Sequence, residues 1–259
     1  MINDSKVSPG RTERLSIAAY RSGLGDGAVD LDGALALRFP QAPESPMLNR
    51  IVELGVNGPA TEAQLDAAIE AMAGLRFYVT LSPSAEPSEI PKWLAARGFQ
   101  PGWGWMQFQR GVDDLPERDT ALELVEIGRE QARDFARVVR VAYGFLPEAD
   151  EAIGAAVGLD AWTFWVAYAG DEPAGAAGLF VDEGAGYFGY GATLPEHRGK
   201  GAQGALLAAR IRRARELGCD AVYTETGELR SDLPSASYRN ILRAGFEELY
   251  VVPNWLSPI

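Results

Sequence analysis

Between Glu196 and Gly204 the chain reads EHRGKGAQG, with glycines at 199, 201 and 204 set among the basic residues Arg198 and Lys200. Glycine lets the backbone approach a bound group closely. The run lies between a strand-like segment, GYFGYGATL (186–194), and a helix-like one, Gly201 to Leu217. The free N–H groups of a helix's first turn point outward, and the helix dipole adds partial positive charge there. With the full charges of Arg198 and Lys200 beside it, such a turn is an anion site suited to a pyrophosphate. A glycine-rich turn that binds nothing is the alternative, and the order of the surrounding elements has to decide.

Those elements can be read from periodicity. LELVEI (122–127) alternates as a strand does, and REQARDFARVVRVAYG (129–144) places Ala132, Phe135, Val138, Val139 and Ala142 on one helical face. A further helix is expected over 148–159. Three strands follow, TFWVAY (163–168), AGAAGLFV (174–181) and GYFGYGATL, with hairpin turns at GDEP and DEGAG. After the loop and its helix come a strand at 221–226, a helix at 235–243 and a closing strand at 247–252. The second half therefore reads βααβββαβαβ.

The first half has a related order: a helix at 13–22, a strand at 33–39, a proline-rich loop at 40–46, a strand in NRIVELGV, a helix at 57–75, a strand in RFYVTL, a helix at 89–97 and a closing strand pair in QPGWGWMQFQR. LAARGF (94–99) lines up with ILRAGF (241–246), which points to a degenerate tandem duplication. Residues 112–120, VDDLPERDT, have the composition of a linker. Two domains, 1–116 and 117–259, are expected.

Composition narrows the function. A chain of 259 residues, 47% apolar, can bury one large core or two small ones. Its net charge of -12 argues against nucleic acid or an anionic membrane as partner; it would draw in a cationic small molecule, and an acidic surface is also, and more commonly, a route to solubility. The start of the sequence has no apolar run of the signal-peptide kind, and no later stretch reaches the ~18 apolar residues of a membrane span. With one cysteine, Cys219, a reducing cytoplasmic setting is expected. A single histidine, His197, and that single cysteine leave too few ligands for the usual zinc clusters, so no metal is expected.

The loop and its flanking order resemble the GNAT superfamily of N-acetyltransferases, whose pyrophosphate loop reads Arg or Gln, x, x, Gly, x, Gly or Ala. Arg198 and Gly201 match, while Gln203 departs from the sixth position. Gly204 follows it, so the loop can use Gly204 with the Gln203 side chain turned away. The likeness runs over residues 122–252 and includes the Gly-Phe pair, Gly245 and Phe246, after the last helix.

The resemblance implies an α/β (α+β) fold of two units, each a mixed, mostly antiparallel sheet flanked by helices. It implies acetyl-CoA as co-substrate and transfer of the acetyl group to a primary amine of a small molecule by direct attack. The phosphates would lie on Arg198, Gly199, Lys200, Gly201, Ala202, Gln203 and Gly204. The strand before the loop would splay from its neighbour and pair with the pantetheine arm through Gly191, Ala192, Thr193 and Leu194. Gly189 and Gly191 suit a bulge there.

The family's usual acid, a Tyr four residues before the Gly-Phe pair, is Ile241 here. Tyr238, one turn earlier, can take the role or simply pack. Ser237 and Asn240 can bond the cofactor or cap a helix. Glu225, on the strand after the loop helix, is the expected base through partial burial near the cleft. Glu196 and His197 are expected to face solvent.

In the first half the corresponding segment, GVNGPATEAQ (55–64), has no basic residue and carries Glu62. One coenzyme site per chain follows, with the first unit as a wall of the acceptor pocket or a packing partner. Trp103, Trp105, Trp162, Trp165 and Tyr187 can line that pocket or fill cores. A coenzyme A sensor without turnover is the alternative function, and a nucleotide-binding protein the weaker one, since no GKS or GKT is present. A monomer or homodimer is expected.

Overall fold

The computed structural model describes residues 10–116, 120–230 and 235–258. The first half of the chain runs α1 (Arg11–Leu24), β1 (Ala28–Leu31), β2 (Ala34–Leu37), β3 (Arg50–Val52), α2 (Glu62–Ala71), β4 (Tyr78–Thr80), α3 (Ile90–Ala96), β5 (Gln100–Pro101) and β6 (Trp105–Gly111). The second runs β7 (Glu123–Ile127), α4 (Ala132–Tyr143), α5 (Ala149–Ala155), β8 (Trp162–Ala169), β9 (Glu172–Asp182), β10 (Ala185–Thr193), α6 (Ala202–Glu216), β11 (Ala221–Gly227), α7 (Ala236–Arg243), β12 (Glu247–Val252) and β13 (Asn254–Leu256). The fold class is the expected one, α/β with two mixed sheets flanked by helices.

One sheet has the order β1-β2-β3-β4-β13-β5 and the other β12-β6-β11-β10-β9-β8-β7. In each, one parallel pair encloses a crossover helix: β3 with β4 around α2, and β10 with β11 around α6. The strands leading up to those pairs are antiparallel. In each sheet the strand next to the parallel pair comes from the other half of the sequence, β13 beside β4 and β6 beside β11.

The compact units are accordingly discontinuous: one holds Met1–Ala19 with Gln107–Tyr250, the other Tyr20–Met106 with Val251–Ile259. They are not the two contiguous halves that a cut at the 112–120 linker would give. Ladder pairing outweighs proximity in sequence, because each strand needs a partner for its backbone N–H and C=O groups. Two strands lie outside the elements read from the sequence, β1 in the Gly- and Asp-rich connection and β13 after the proline at 253.

The unit built on α2 closes its core with Ile51, Leu54, Leu65, Met72, Val79 and Leu94, all 1% exposed or less. In the other unit Phe135, Val138 and Val139 of α4 bury the stripe that their spacing implies, and α4 stops at Gly144 in the left-handed conformation. Phe135 meets Phe164 edge to face at 4.8 Å, fixing α4 on one face of the sheet. On the other face α6 lies over β9 and β10, where a methyl group added at Gly175 would come within 3.3 Å of Ala202. Burying each such large apolar side chain contributes about 1.5–3 kcal/mol.

Candidate active site

Beyond β10 the backbone makes a 3-10 turn at Pro195–His197, leaves it extended at Arg198 and enters α6 at Gly201. Gly199 and Gly201 take φ of 80° and 83°, which a side chain would strain. Gly201 offers no side chain to cap α6. The first helical hydrogen bond is donated by Ala205 to the Gly201 carbonyl at 3.1 Å, so the N–H groups of Ala202, Gln203 and Gly204 have no acceptor within the helix. Arg198, Gly199, Lys200 and Gly201 are exposed around those donors, while Ala202 is buried beneath. This is the geometry an anion needs.

Gln203 departs from the family pattern for a visible reason. Its side chain turns onto α7, where Nε2 donates to Ser237 Oγ at 3.1 Å and Oε1 accepts from Asn240 Nδ2 at 2.6 Å. Asn240 is therefore engaged in clamping the two helices together. Ser235 caps α7, accepting from the Tyr238 amide at 3.1 Å.

His197 does not face solvent; it is 4% exposed. Lys200 Nζ lies 3.0 Å from its Nδ1, and its Nε2 lies 3.5 Å from Glu172 on β9. An ammonium only donates, so Nδ1 accepts and the ring proton sits on Nε2, toward Glu172. The ring thereby ties the loop lysine to the sheet. Glu172, Glu196 and His197 have potential metal-ligand atoms within 4.8 Å of one another, and the Lys200 ammonium occupies the Nδ1 side of the ring.

The strand before the loop carries the expected irregularity. The register of β10 against β9 shifts between Gly189 and Ala192, which leaves Tyr190 and Gly191 in a bulge. Tyr190 sits at φ of 55°, a conformation of about 1–3 kcal/mol strain for such a residue. Gly186 and Phe188 face α6, and unbroken alternation would send Tyr190 there too; the bulge turns its ring instead onto Phe135, Trp162 and Phe164. Pairing of β10 with β11 ends at Phe188 opposite Thr224. Gly191, Ala192, Thr193 and Leu194 lie past that last rung, with Gly191 exposed and Ala192 and Leu194 buried.

Glu225 is the first residue of β11 beyond the last rung, and it is half-buried. Gln107 Nε2 donates to its Oε2 at 3.1 Å. It shares a strand face with Tyr223, over which Arg11 of α1 stacks at 5.6 Å, so it stands on the face away from α6. Tyr238 stands elsewhere. It is 1% exposed, packs edge to face on Phe108 at 4.9 Å and donates its hydroxyl to Glu248 on β12. Burial, then that carboxylate, pushes the hydroxyl far above the usual tyrosine value. Ile241 is buried as well. The bulge and the loop thus follow one another along the chain, Glu225 stands beside the end of the β10–β11 ladder, and Tyr238 belongs to the core.

Two residues at the bulge were not singled out by the sequence. Tyr143, the last residue of α4, donates its hydroxyl to the Gly191 carbonyl at 3.0 Å. Arg210 of α6 is 3% exposed, and its guanidinium lies 4.4 Å from the Phe188 ring centroid. Its periodicity was a clue: on the face of α6 that also carries Ala202, Leu206 and Ala214, an arginine is out of place. Trp162, Trp165 and Tyr187 are buried core aromatics of this unit, as Trp105 is of the other.

The helix that corresponds to α6 in the other unit has a capped entrance. Thr61 caps α2, accepting from the Gln64 amide at 3.2 Å, and Gln64 Oε1 accepts from the Thr61 amide at 2.9 Å. That capping box occupies the third-residue donor, the counterpart of the Gly204 amide, and Glu62 adds negative charge in the first turn.

Residues 126–232 match the model of the acetyltransferase (GNAT) family. The chain is similar to a GCN5-related N-acetyltransferase from Kribbella flavida, at 16% identity and a TM-score of 0.64 over 97% of both chains. It is similar also to a GNAT-family putative acetyltransferase from Novosphingobium aromaticivorans, at 16% identity and a TM-score of 0.62 over 96% of this chain and 98% of that one. A tandem GNAT protein from the clavulanic acid biosynthesis pathway aligns with a TM-score of 0.53 at 15% identity, over 97% of this chain and 96% of its own. No curated protein matches in sequence. Residues 126–232 thus carry a GNAT acetyltransferase domain, and the uncapped, basic α6 entrance and the bulged, splayed strand before it lie inside that segment.

Proposed function

We propose that the chain transfers an acetyl group from acetyl-CoA to the primary amine of a small-molecule acceptor by direct attack. The observation that carries this reading is the entrance of α6, where three backbone donors without an acceptor among the described residues and two exposed basic side chains follow the splayed end of β10. Arg198, Gly199, Lys200, Gly201, Ala202, Gln203 and Gly204 hold the pyrophosphate. Gly191, Ala192, Thr193 and Leu194 offer the backbone groups that β11 leaves unpaired to the pantetheine arm. Glu225 takes the proton of the incoming ammonium on the face away from α6, and the net charge of -12 favours cationic acceptors. The experiment is thiol release from acetyl-CoA over a panel of small amines. No release with any of them, together with thermal stabilisation by coenzyme A, would replace this reading with a non-catalytic sensor, which the buried Ile241 and the Glu248-bound Tyr238 favour.

The two halves are read as a tandem duplication in which the first has lost its coenzyme site, since a capping box and Glu62 fill the entrance of α2. Calorimetry with coenzyme A is expected to give one equivalent per chain. A second equivalent would contradict the loss. No helix among the described residues is long and apolar enough to cross a membrane, and with Cys219 free and buried the working place is read as the cytoplasm.

His197 acts here as a positioning residue. His197→Ala removes one net hydrogen bond from Lys200 and should weaken coenzyme A binding by a factor of roughly 2 to 10 in calorimetry. His197→Gln, which can still accept from Lys200, should recover part of it. Equal losses in both variants would mean that the ring only packs.

A further inference from the structure

We propose that Tyr143 and Arg210 form a thiolate-stabilising pair at the bulge of β10, in which Tyr143 gives its proton to the sulfur leaving the acetyl group and Arg210 supplies the opposing charge. The inference rests on the acetyl-CoA reading above.

The two side chains reach one backbone position from opposite faces of the sheet. Tyr143 comes from α4, where its ring is 39% exposed and stacks on Phe145 at 5.7 Å, and its hydroxyl ends on the Gly191 carbonyl. Arg210 comes from α6, and a methyl group added at Gly191 would lie 3.9 Å from its Nη2. Only a break in the sheet allows this meeting, and the break is the bulge of β10 against β9 between Gly189 and Ala192.

Arg210 is an expensive residue to keep there. Its Nε donates to Leu206 O at 3.1 Å, and its Nη1 lies 3.4 Å from the carbonyls of Gly178 and Gly189. Among the described residues no carboxylate pairs with it. Burial pulls the guanidinium down to about 9, partly offset by Tyr143, so it keeps its charge at neutral pH. A buried cation faced by neutral carbonyls and an aromatic ring, with no carboxylate beside it, is held against a desolvation penalty. That penalty is recovered when negative charge arrives, and cleavage of a thioester delivers one at this break.

The amine nitrogen bonds to the thioester carbon while the C=O pair moves onto oxygen. When that pair returns, the C–S bond breaks and its electrons stay on sulfur. The proton on Tyr143 Oη passes to the sulfur, and the phenolate, held by Arg210, then takes up the proton that the amine has shed. No oxidant or metal enters the balance. The helix position where the family carries tyrosine is the buried Ile241, so the hydroxyl from α4 supplies from the opposite face what α7 does not.

The test uses coenzyme A itself, bound to the full chain, with thiolate absorbance followed as pH rises. In the unchanged protein the bound thiol should ionise about one pH unit below its free value, a tenfold gain in thiolate fraction at neutral pH. Tyr143→Phe, which removes one oxygen from a part-exposed side chain, should lose a clear part of that shift, and Arg210→Met all of it, with coenzyme A affinity within a few-fold in both. A bound thiol at its free value, or a shift surviving in both variants, overturns the pair. Should Arg210→Met fail to fold, Tyr143→Phe decides alone. Failure of coenzyme A to bind the unchanged protein would overturn the acetyl-CoA reading instead.

Discussion

Glu225→Gln is expected to lower kcat for acetyl transfer at least about a hundredfold while leaving the KM for acetyl-CoA nearly unchanged. A positioned general base contributes typically about 10²–10⁴ in rate, and glutamine keeps the shape and the acceptor oxygen but not the basicity. Glu225 sits where β11 parts from β10, half-buried and held by Gln107, on the face away from α6. The check is steady-state kinetics with whichever amine turns over. Glu225→Asp, which keeps a carboxylate, should recover part of the rate. A Glu225→Gln variant that keeps the full rate, or an aspartate no better than the glutamine, would mean that Glu225 shapes the strand and another group takes the proton.

Arg198→Ala should raise the dissociation constant of coenzyme A by roughly ten- to a hundredfold. One hydrogen bond between charged groups is worth about 1.5–3 kcal/mol, and about 1.4 kcal/mol is a factor of ten. Arg198 leaves the turn in an extended conformation and is exposed beside the open donors of α6. Its guanidinium can meet two phosphate oxygens at once, which lysine cannot, so Arg198→Lys should recover only part of the loss. The deficit should shrink as salt is raised, because the site is open to solvent. Unchanged affinity in calorimetry would sink the assignment of the loop.

The strong signals in the sequence were local. The α4 stripe of Phe135, Val138 and Val139 and the order of β8, β9 and β10 follow from periodicity and turn composition. So does the loop, since Gly199 and Gly201 are needed for their positive φ and Arg198 and Lys200 for their charge. Even the departure at Gln203 was readable as a side chain turned aside, although its clamp onto Ser237 and Asn240 needed α7 in place.

What stayed hidden was long-range. Nothing within WMQFQRG or NWL says which sheet will take β6 or β13, because a ladder is chosen between segments far apart in the chain. Tyr238 kept its helical position but found Glu248 across the core. Arg210, in the run RIRRARE, has the appearance of one more solvated cation until α6 is laid on β9 and β10.

The loop between Arg198 and Gly204 was thus determined by the sequence itself, since an anion site at a helix entrance needs only glycine conformations, basic side chains and a helix that begins there. The surroundings of the β10 bulge were decided by the tertiary structure alone. The register break at Tyr190 and Gly191 and two helices on opposite faces bring Tyr143 and Arg210 to one backbone position, and no spacing in the chain encodes that meeting because each residue reaches it on a different element.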